Sequence, residues 1–478
     1  MSSKLAGPRP VVAALHAEHM DVLDVRGLRA RFGEDARSRT LNPSVAAEAP
    51  AQYHSSMAHW DVIIVGGGPA GLMAATRAAQ RGRRTLLLEK NREPGVKILL
   101  SGGSRCNVTH ATDRRGIVSA FGPAGRFLHS ALAALGPEEV RDLLSAEGVP
   151  TKVEEGGKVF PRSDRAADIQ AALLRRLQRS GCTLALEETL EELIPADRGF
   201  RLRTSGRTLT AEKIVLATGG KSYPTCGTTG DGYRWAEALG HHVVPPRPAL
   251  VPVTTHAPWV RMLQGITAPD VLVKVVEPGG CGELTRTACL AERRGSLLFT
   301  HFGLSGPAVL DISRTISGHA RPQTLQMVCD FLPTMKKEEV EAFLLRECGL
   351  AGKKHLASML APLLPRRLAE KLVELISPPN GRVAAELTKA ERRQFVQALK
   401  RTCIPVAGTL GFKKAEVTAG GVSLKEVDSR TMQSRLVPNL YFGGELLDLD
   451  GPIGGYNFQA AFSTGWLAGE SVSAGDSG

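Results

Sequence analysis

Three glycines, Gly66, Gly68 and Gly71, with Glu89 eighteen residues beyond the last, are the part of this sequence best suited to chemistry. In such a G-x-G-x-x-G turn the first glycine permits a tight bend. The second lets the backbone approach a pyrophosphate, and the third lets a helix pack closely on a strand. Pro69 and Ala70 open that helix, whose free N–H groups and positive dipole end suit phosphate. Glu89 is placed to accept hydrogen bonds from ribose hydroxyls, and its charge disfavours a 2′-phosphate and hence NADP in this site. Lys90 and Lys97, just beyond, are counted with the cofactor-binding residues.

Two further segments favour FAD over NAD. Ile214-Val-Leu-Ala217-Thr218-Gly219-Gly220 is a strand ending in glycines, an element that recurs beside the cofactor in two-dinucleotide-binding flavoproteins. Leu440-Tyr-Phe-Gly-Gly444-Glu445 repeats the pattern of a strand followed by glycines and an acid, a return that a lone NAD-binding domain does not need.

Other residues gather round this core. Ser101-Gly102-Gly103 reads as a backbone cradle for a phosphate or for flavin N5, or else as a plain loop. Arg105 could neutralise the pyrophosphate or an anionic substrate, and Asn107 closes the segment. Cys106 reads as a proton donor if it lies by the flavin. Its plainer reading is a small buried filler, since a reactive thiol needs an electropositive, exposed setting. Gly454-Gly455-Tyr456-Asn457-Phe458 precedes an apolar run and is expected to open the last helix, pointing its N-terminus at the flavin pyrimidine edge. There Tyr456 and Asn457 could bond the ring or the substrate, with an N-cap role as the alternative for Asn457. His301 could act as acid or base near neutral pH, or be structural. Lys221, Tyr223 and Asp231 are expected on the substrate side.

These residues need a doubly wound α/β frame. Asp61–Val65 opens a short apolar β-branched run suited to a buried parallel strand. A helical pattern over 69–80 stops at Arg81-Gly82, and Thr85–Leu88 completes a βαβ unit. Helices are expected near 126–147 and 164–180, strands at 183–188, 199–210 and 213–217, and a helix near 232–239. Prolines 245, 246, 248 and 252 mark a crossing into another region. Short β segments follow (271–276, 285–290, 296–299 and 324–331), then helical patterns at 336–348, 356–363, 367–376 and 389–402. The expected plan is an extension over 1–56, an FAD domain in two pieces (57–245 and 405–472), a β-rich insertion (246–334) and a helical insertion (335–404).

Composition narrows the class. Of 478 residues, 42% are hydrophobic and 23% charged, ordinary for a globular chain, and 51 glycines suit many tight βα turns. No run of about 18 apolar residues suggests a membrane helix. Eight scattered cysteines without C-x-x-C indicate neither a disulfide framework nor a zinc site, so no metal is expected and a reducing cytoplasm is the natural setting. Residues 1–56 lack periodic patterning, with seven basic and six acidic residues, and read as a disordered extension or as the product of an upstream start codon. The net charge of +12 favours polyanionic partners, or is simply a solvated basic surface.

Taken together, the stretches Ser101–Asn107, Gly157–Pro161, Ala217–Pro224, Gly227–Gly232, Leu298–Pro307, Val417–Val422, Thr431-Met432, Gly443–Asp448 and Gly454–Asn457 resemble the BaiN/RdsA-like flavoproteins, also described as the aminoacetone-oxidase-type FAD-binding family. The likeness runs from about Asp61 to Gly469. Ser104 departs from it where a third glycine is usual, and His110 where Asn is common. The resemblance implies a Rossmann-like FAD domain of the two-dinucleotide-binding type, an inserted β-barrel-like domain and a small helical domain.

It also implies non-covalent FAD, NAD(P)H as a transient reductant, and reduction of a conjugated C=C bond in an enone-like small molecule or in rRNA uridine. A flavin oxidase of a small amine, or a flavin-bearing protein that binds RNA or a partner without turnover, are the alternatives. The sequence supplies no aromatic cage for an amine and no second G-x-G-x-x-G for a nicotinamide. Residues 336–401 carry fourteen Lys or Arg against eight Glu. Pairs such as Lys353-Lys354, Arg366-Arg367, Arg392-Arg393 and Lys400-Arg401 could form a phosphate-binding face, or a solvated one.

Overall fold

The computed structural model describes residues 59–277, 289–350, 355–376 and 388–473. The expected extension over 1–56 and part of the strand expected at 285–290 lie outside these residues.

A mixed seven-stranded sheet carries the first lobe. Its central strands, Thr85–Leu88, His59–Val65 and Thr208–Leu216, run parallel, with Ile64 paired to Leu87 on one side and to Val215 on the other. Thr183–Ala185 adds to one edge, and Leu440–Phe442 returns from the far end of the chain to pair with Ile214–Leu216. Ile63, Ile64, Leu86 and Leu87 are wholly buried, which is why these strands read as continuous apolar runs rather than alternating ones. The segment 199–217, expected as two strands, is instead a hairpin: Phe200–Thr204 turns at Ser205–Arg207 and runs back antiparallel along Thr208–Leu216. Leu190–Pro195 lies outside it. The helix expected over 126–147 is broken into His129–Ala134 and Pro137–Ala146, because Pro137 cannot donate to a preceding turn and starts a new helix after Gly136.

The helices Pro69–Gln80 and Tyr456–Ser471 cross at very short range. A Cβ on Gly465 would stand 2.1 Å from the Ala70 carbonyl oxygen, and one on Gly469 would stand 2.4 Å from that of Ala74. Glycines four apart share one helix face, so the pair forms a groove into which the first helix sits. Because the obstacle is backbone, Gly465→Val is expected to lower stability by about 3 kcal/mol or more, near the upper end for overpacking; urea unfolding of the purified variant checks this.

The second lobe is an antiparallel sheet in the order Thr402–Pro405, Gln326–Asp330, Thr267–Val276, Cys289–Phe299, Gly303–Ser305, Val253–Thr254, Gly408–Thr409. Its core joins Val271, Val273, Val275 and Phe299 of the sheet to Leu344, Leu368, Leu372 and Phe395 of the helices, so the β and helical segments share one interior. The chain stays in this sheet to Thr409, past the boundary expected at 405. The proline-rich crossing is itself a strand, Val243–Ala249, paired with Val417–Val422 through an irregular register that tolerates Pro245 and Pro246. Among the described residues no helix is long and apolar enough to cross a membrane, no group of side chains is arranged to hold a metal, and the cysteines form no disulfide.

Candidate functional site

The glycine turn joins the first strand to its helix, and each glycine has its own reason. Gly66 has φ 102°, and a Cβ there would lie 2.7 Å from the Ala217 oxygen. A Cβ on Gly71 would meet the Gly66 oxygen at 1.8 Å, so helix and turn could not close. Gly68 instead faces open space, as does Gly103. No side chain caps the helix that starts at Pro69, and its first turn holds no acid, which leaves the backbone N–H groups that follow Pro69 in that turn for an external anion. Glu89 is fixed at the end of its strand by the amides of Gly67 and Asn91, both at 2.8 Å. The Thr218 hydroxyl, which faces Gly232 just past the neighbouring strand, is buried without a partner. An uncapped helix end, open space at Gly68 and an orphaned hydroxyl fit a dinucleotide cofactor such as FAD.

A network from four distant segments closes the next part. Lys97 Nζ donates to Ser222 Oγ at 2.6 Å and meets Glu445 Oε2 at 2.5 Å. Glu445 Oε1 also accepts from Ser222 Oγ (2.7 Å) and from the Thr418 amide (2.8 Å). The Thr418 hydroxyl in turn accepts from the amides of Lys221 and Ser222. Gly220 must lack a side chain here, since a Cβ would stand 2.3 Å from Thr418 Oγ1. Nearby, Lys90 pairs with Asp231 at 2.6 Å, tying the strand end at Glu89 to the helix Asp231–Ala238. Gly444 is buried between Ala70 and Ala461, with its amide bonded to Thr464.

The Ser101–Asn107 segment is wound through left-handed backbone at Gly102, Gly103, Ser104 and Cys106. Ser104 has φ 64°, so the usual glycine at this place would relieve a steric cost that serine bears. Arg105 is not available to a phosphate as expected. It is paired with Glu154 at 2.8 Å and Asp164 at 3.1 Å and lies 3.9 Å over the Phe160 ring, and these carboxylates hold its guanidinium above its ordinary range. Cys106 is fully buried and its thiol is pushed up to about 12 by that burial, which makes it the core filler and not a proton donor. Asn107 accepts from the Val159 amide at 3.1 Å.

At the last helix, Gly454 and Gly455 carry positive φ, and a Cβ on Gly455 would lie 2.3 Å from the Thr109 oxygen. Tyr456 starts the helix with its ring stacked on His110, centroids 4.5 Å apart. His110 Nδ1 also meets the Gly454 oxygen at 3.1 Å. Asn457 is not the N-cap; Gly455 stands there, and Asn457 bonds both the amide and the carbonyl of Gly451. Phe458 packs against Phe462. The second lobe braces this loop through Asp311, which accepts from the Ile453 amide at 2.8 Å and pairs with Arg293. His301 is not brought to this cluster: it is exposed on the turn between Cys289–Phe299 and Gly303–Ser305, against Phe302.

The family model described as HI0933-like protein Rossmann domain matches residues 60–471. The chain belongs to the HI0933-like family. Among its relatives, the Escherichia coli ribosomal RNA dihydrouridine synthase is 36% identical over 88% of this chain and 100% of its own length. The 3-dehydro-bile acid delta(4,6)-reductase of Clostridium scindens is 32% identical over 86% of this chain and 98% of its own. A 3-ketosteroid-delta4-(5alpha)-dehydrogenase from Rhodococcus jostii aligns in three dimensions over 89% of this chain and 99% of its own, with 14% identity and a TM-score of 0.43. This HI0933-like chain is an oxidoreductase with a Rossmann-like domain.

Two parts of the site escaped sequence reading. Thr418 and Ser222 lie inside recognisable stretches, yet nothing local says that they meet Glu445. The brace from Arg293 and Asp311 comes from another lobe altogether.

Proposed function

We propose that this chain reduces a C=C bond conjugated to a carbonyl, with bound FAD and with NAD(P)H as transient reductant. FAD, when bound, supplies the hydride that the substrate takes up at its β-carbon. Gly68 and the helix end at Pro69–Ala70 hold its pyrophosphate, Glu89 its ribose, and Thr218 offers a hydroxyl. The N-terminus at Gly455–Tyr456 stabilises negative charge at the pyrimidine edge.

The observation that carries the reading is the uncapped, glycine-opened helix end, found in a chain that matches a dihydrouridine synthase over that protein's full length. Uridine and a 3-keto steroid with Δ4,6 unsaturation share one feature, a C=C bond in conjugation with a carbonyl. A uracil base in structured RNA is the first substrate to test, and it would have to leave its stack to react. The expected basic face supports RNA contact only in part. Arg366 pairs with Glu370, Lys371 with Glu374 and Lys400 with Asp330, while Arg367 donates to the Met262 carbonyl. Lys353 and Lys354 lie outside the described residues. Of the expected pairs this leaves Arg393, on the helix Lys389–Lys400.

The test is anaerobic. NADH or NADPH is expected to bleach the bound flavin, and uridine-bearing rRNA or a conjugated enone to restore its colour while gaining two hydrogens, read by mass. Bleaching by neither nicotinamide, with oxygen uptake on simple amines, overturns the reading in favour of an amine oxidase.

A further inference from the structure

Glu416 belongs to none of the networks above. Its amide donates to the Leu250 carbonyl at 3.1 Å, prolonging the pairing between Val243–Ala249 and Val417–Val422. Two residues on, Thr418 holds the Lys221 and Ser222 amides and gives its own to Glu445, so Glu416 stands on the edge of the cofactor cradle. Tyr223, on the same edge, is anchored by its amide to the Phe412 carbonyl at 3.1 Å.

The charged groups that face Glu416 come from three directions: Lys97 from the cradle, Lys158 from the strand Lys158–Pro161 beside His110, and Asp311 from the second lobe. Among the described residues the Glu416 carboxyl makes no hydrogen bond and no ion pair, whereas the neighbouring Asp311 has Arg293 as its cation. Burial lifts its pKa above the usual carboxylate range, Asp311 adds to the rise, and the two lysines offset only part of it.

The alternatives for an acid are poorer. The Cys106 thiol is sealed in the core. The Tyr223 phenol is pushed up to about 12 by burial and by the Glu416 charge, and Tyr456 is committed to its stack on His110. A general acid works best when its pKa lies near the working pH. A carboxyl raised by burial is shifted toward that condition, whereas a phenol near 12 stands far above it.

We propose that Glu416 is the acid that protonates the α-carbon during C=C reduction, an assignment that rests on the reductase reading above. As hydride adds to the β-carbon, the π pair forms the new bond between the α-carbon and the Glu416 proton. The carboxyl O–H bond breaks and its pair stays on the carboxylate, which water then reprotonates. The acid must be neutral to act, so turnover falls as pH rises through its raised pKa.

The test compares the parent with Glu416→Gln and Glu416→Asp. The Gln variant is expected to keep its FAD content and to be reduced by nicotinamide normally, but to lose about 100-fold or more in product formation, the scale of a lost general acid. It should also lose the alkaline limb of the pH profile. The Asp variant should recover part of the rate with that limb displaced. Difference infrared spectra of the cofactor-free parent and Gln variant at neutral pH should show one protonated carboxyl band that the variant lacks; because it is a difference, Asp311 and Asp448 cancel.

Turnover of Glu416→Gln close to the parent's, or no difference band, overturns the assignment. If the Gln variant fails to fold, an undisplaced limb in Glu416→Asp does the same. A parent that saturates no conjugated bond overturns the reductase reading, and the infrared difference still decides whether Glu416 is a neutral acid.

Discussion

Glu89→Arg is expected to yield a colourless protein. Glu89 is only 7% exposed, and its two oxygens hold the amides of Gly67 and Asn91, so the carboxylate shapes the turn and, in the proposed function, also receives the ribose. Arginine leaves both amides without an acceptor and puts a long cation where a carboxylate was. Each unsatisfied buried group costs about 1–3 kcal/mol, and the lost ribose contact adds a similar amount. A 100-fold or greater rise in the FAD dissociation constant is therefore expected, read by fluorescence titration of the apoprotein. A variant that purifies yellow with stoichiometric FAD would show that the ribose lies elsewhere.

The second large effect concerns Lys97 and Glu445, both about four-fifths buried. Removing one partner leaves an uncompensated charge under cover. Lys97→Met should cost about 2–4 kcal/mol, somewhat below the range for a fully buried pair because both ends touch solvent. Glu445→Gln should cost less in charge but still disturbs Ser222 and the Thr418 amide. The double variant should be more stable than the sum of the singles predicts, since no lone charge remains. Thermal unfolding of all four proteins closes the cycle, and strict additivity would mean that the pair carries no coupling.

Much of the first lobe was legible because its demands are local. Buried parallel strands such as Ile63-Ile64 and Leu86-Leu87 must be apolar on both faces, and Gly66 and Gly71 stand where any Cβ would strike backbone. The hairpin at 205–207 was missed because the alternating pattern of Phe200–Thr204 continues past the turn into Thr208–Thr210, so that 199–210 reads as one strand. The break at Gly136-Pro137 was in plain view, but the surrounding Ala and Leu pattern masked it. Pairing at long range was not legible. Arg105 has the type and place of a phosphate ligand, and only the fold shows Glu154 and Asp164 taking its charge. Glu416 carries no motif of its own; its setting is made by groups up to several hundred residues away.

The groove formed by Gly465 and Gly469 has a consequence for synthesis on the ribosome. The first helix packs on its own sheet and on the helix Ala166–Arg179, but the face that meets Gly465 and Gly469 is covered only by the last helix, and the strand Leu440–Phe442 that flanks Ile214–Leu216 is made just before it. A nascent chain can close the lobe spanning 253–409 while its first lobe still waits, because every strand of that sheet lies within one contiguous stretch. Joining segments almost 400 residues apart is the slow, late step that topology imposes. Closure of the first lobe is thus coupled to completion of the polypeptide, and chains stalled before residue 440 would emerge with one face of the first helix uncovered, as clients for chaperones or proteases.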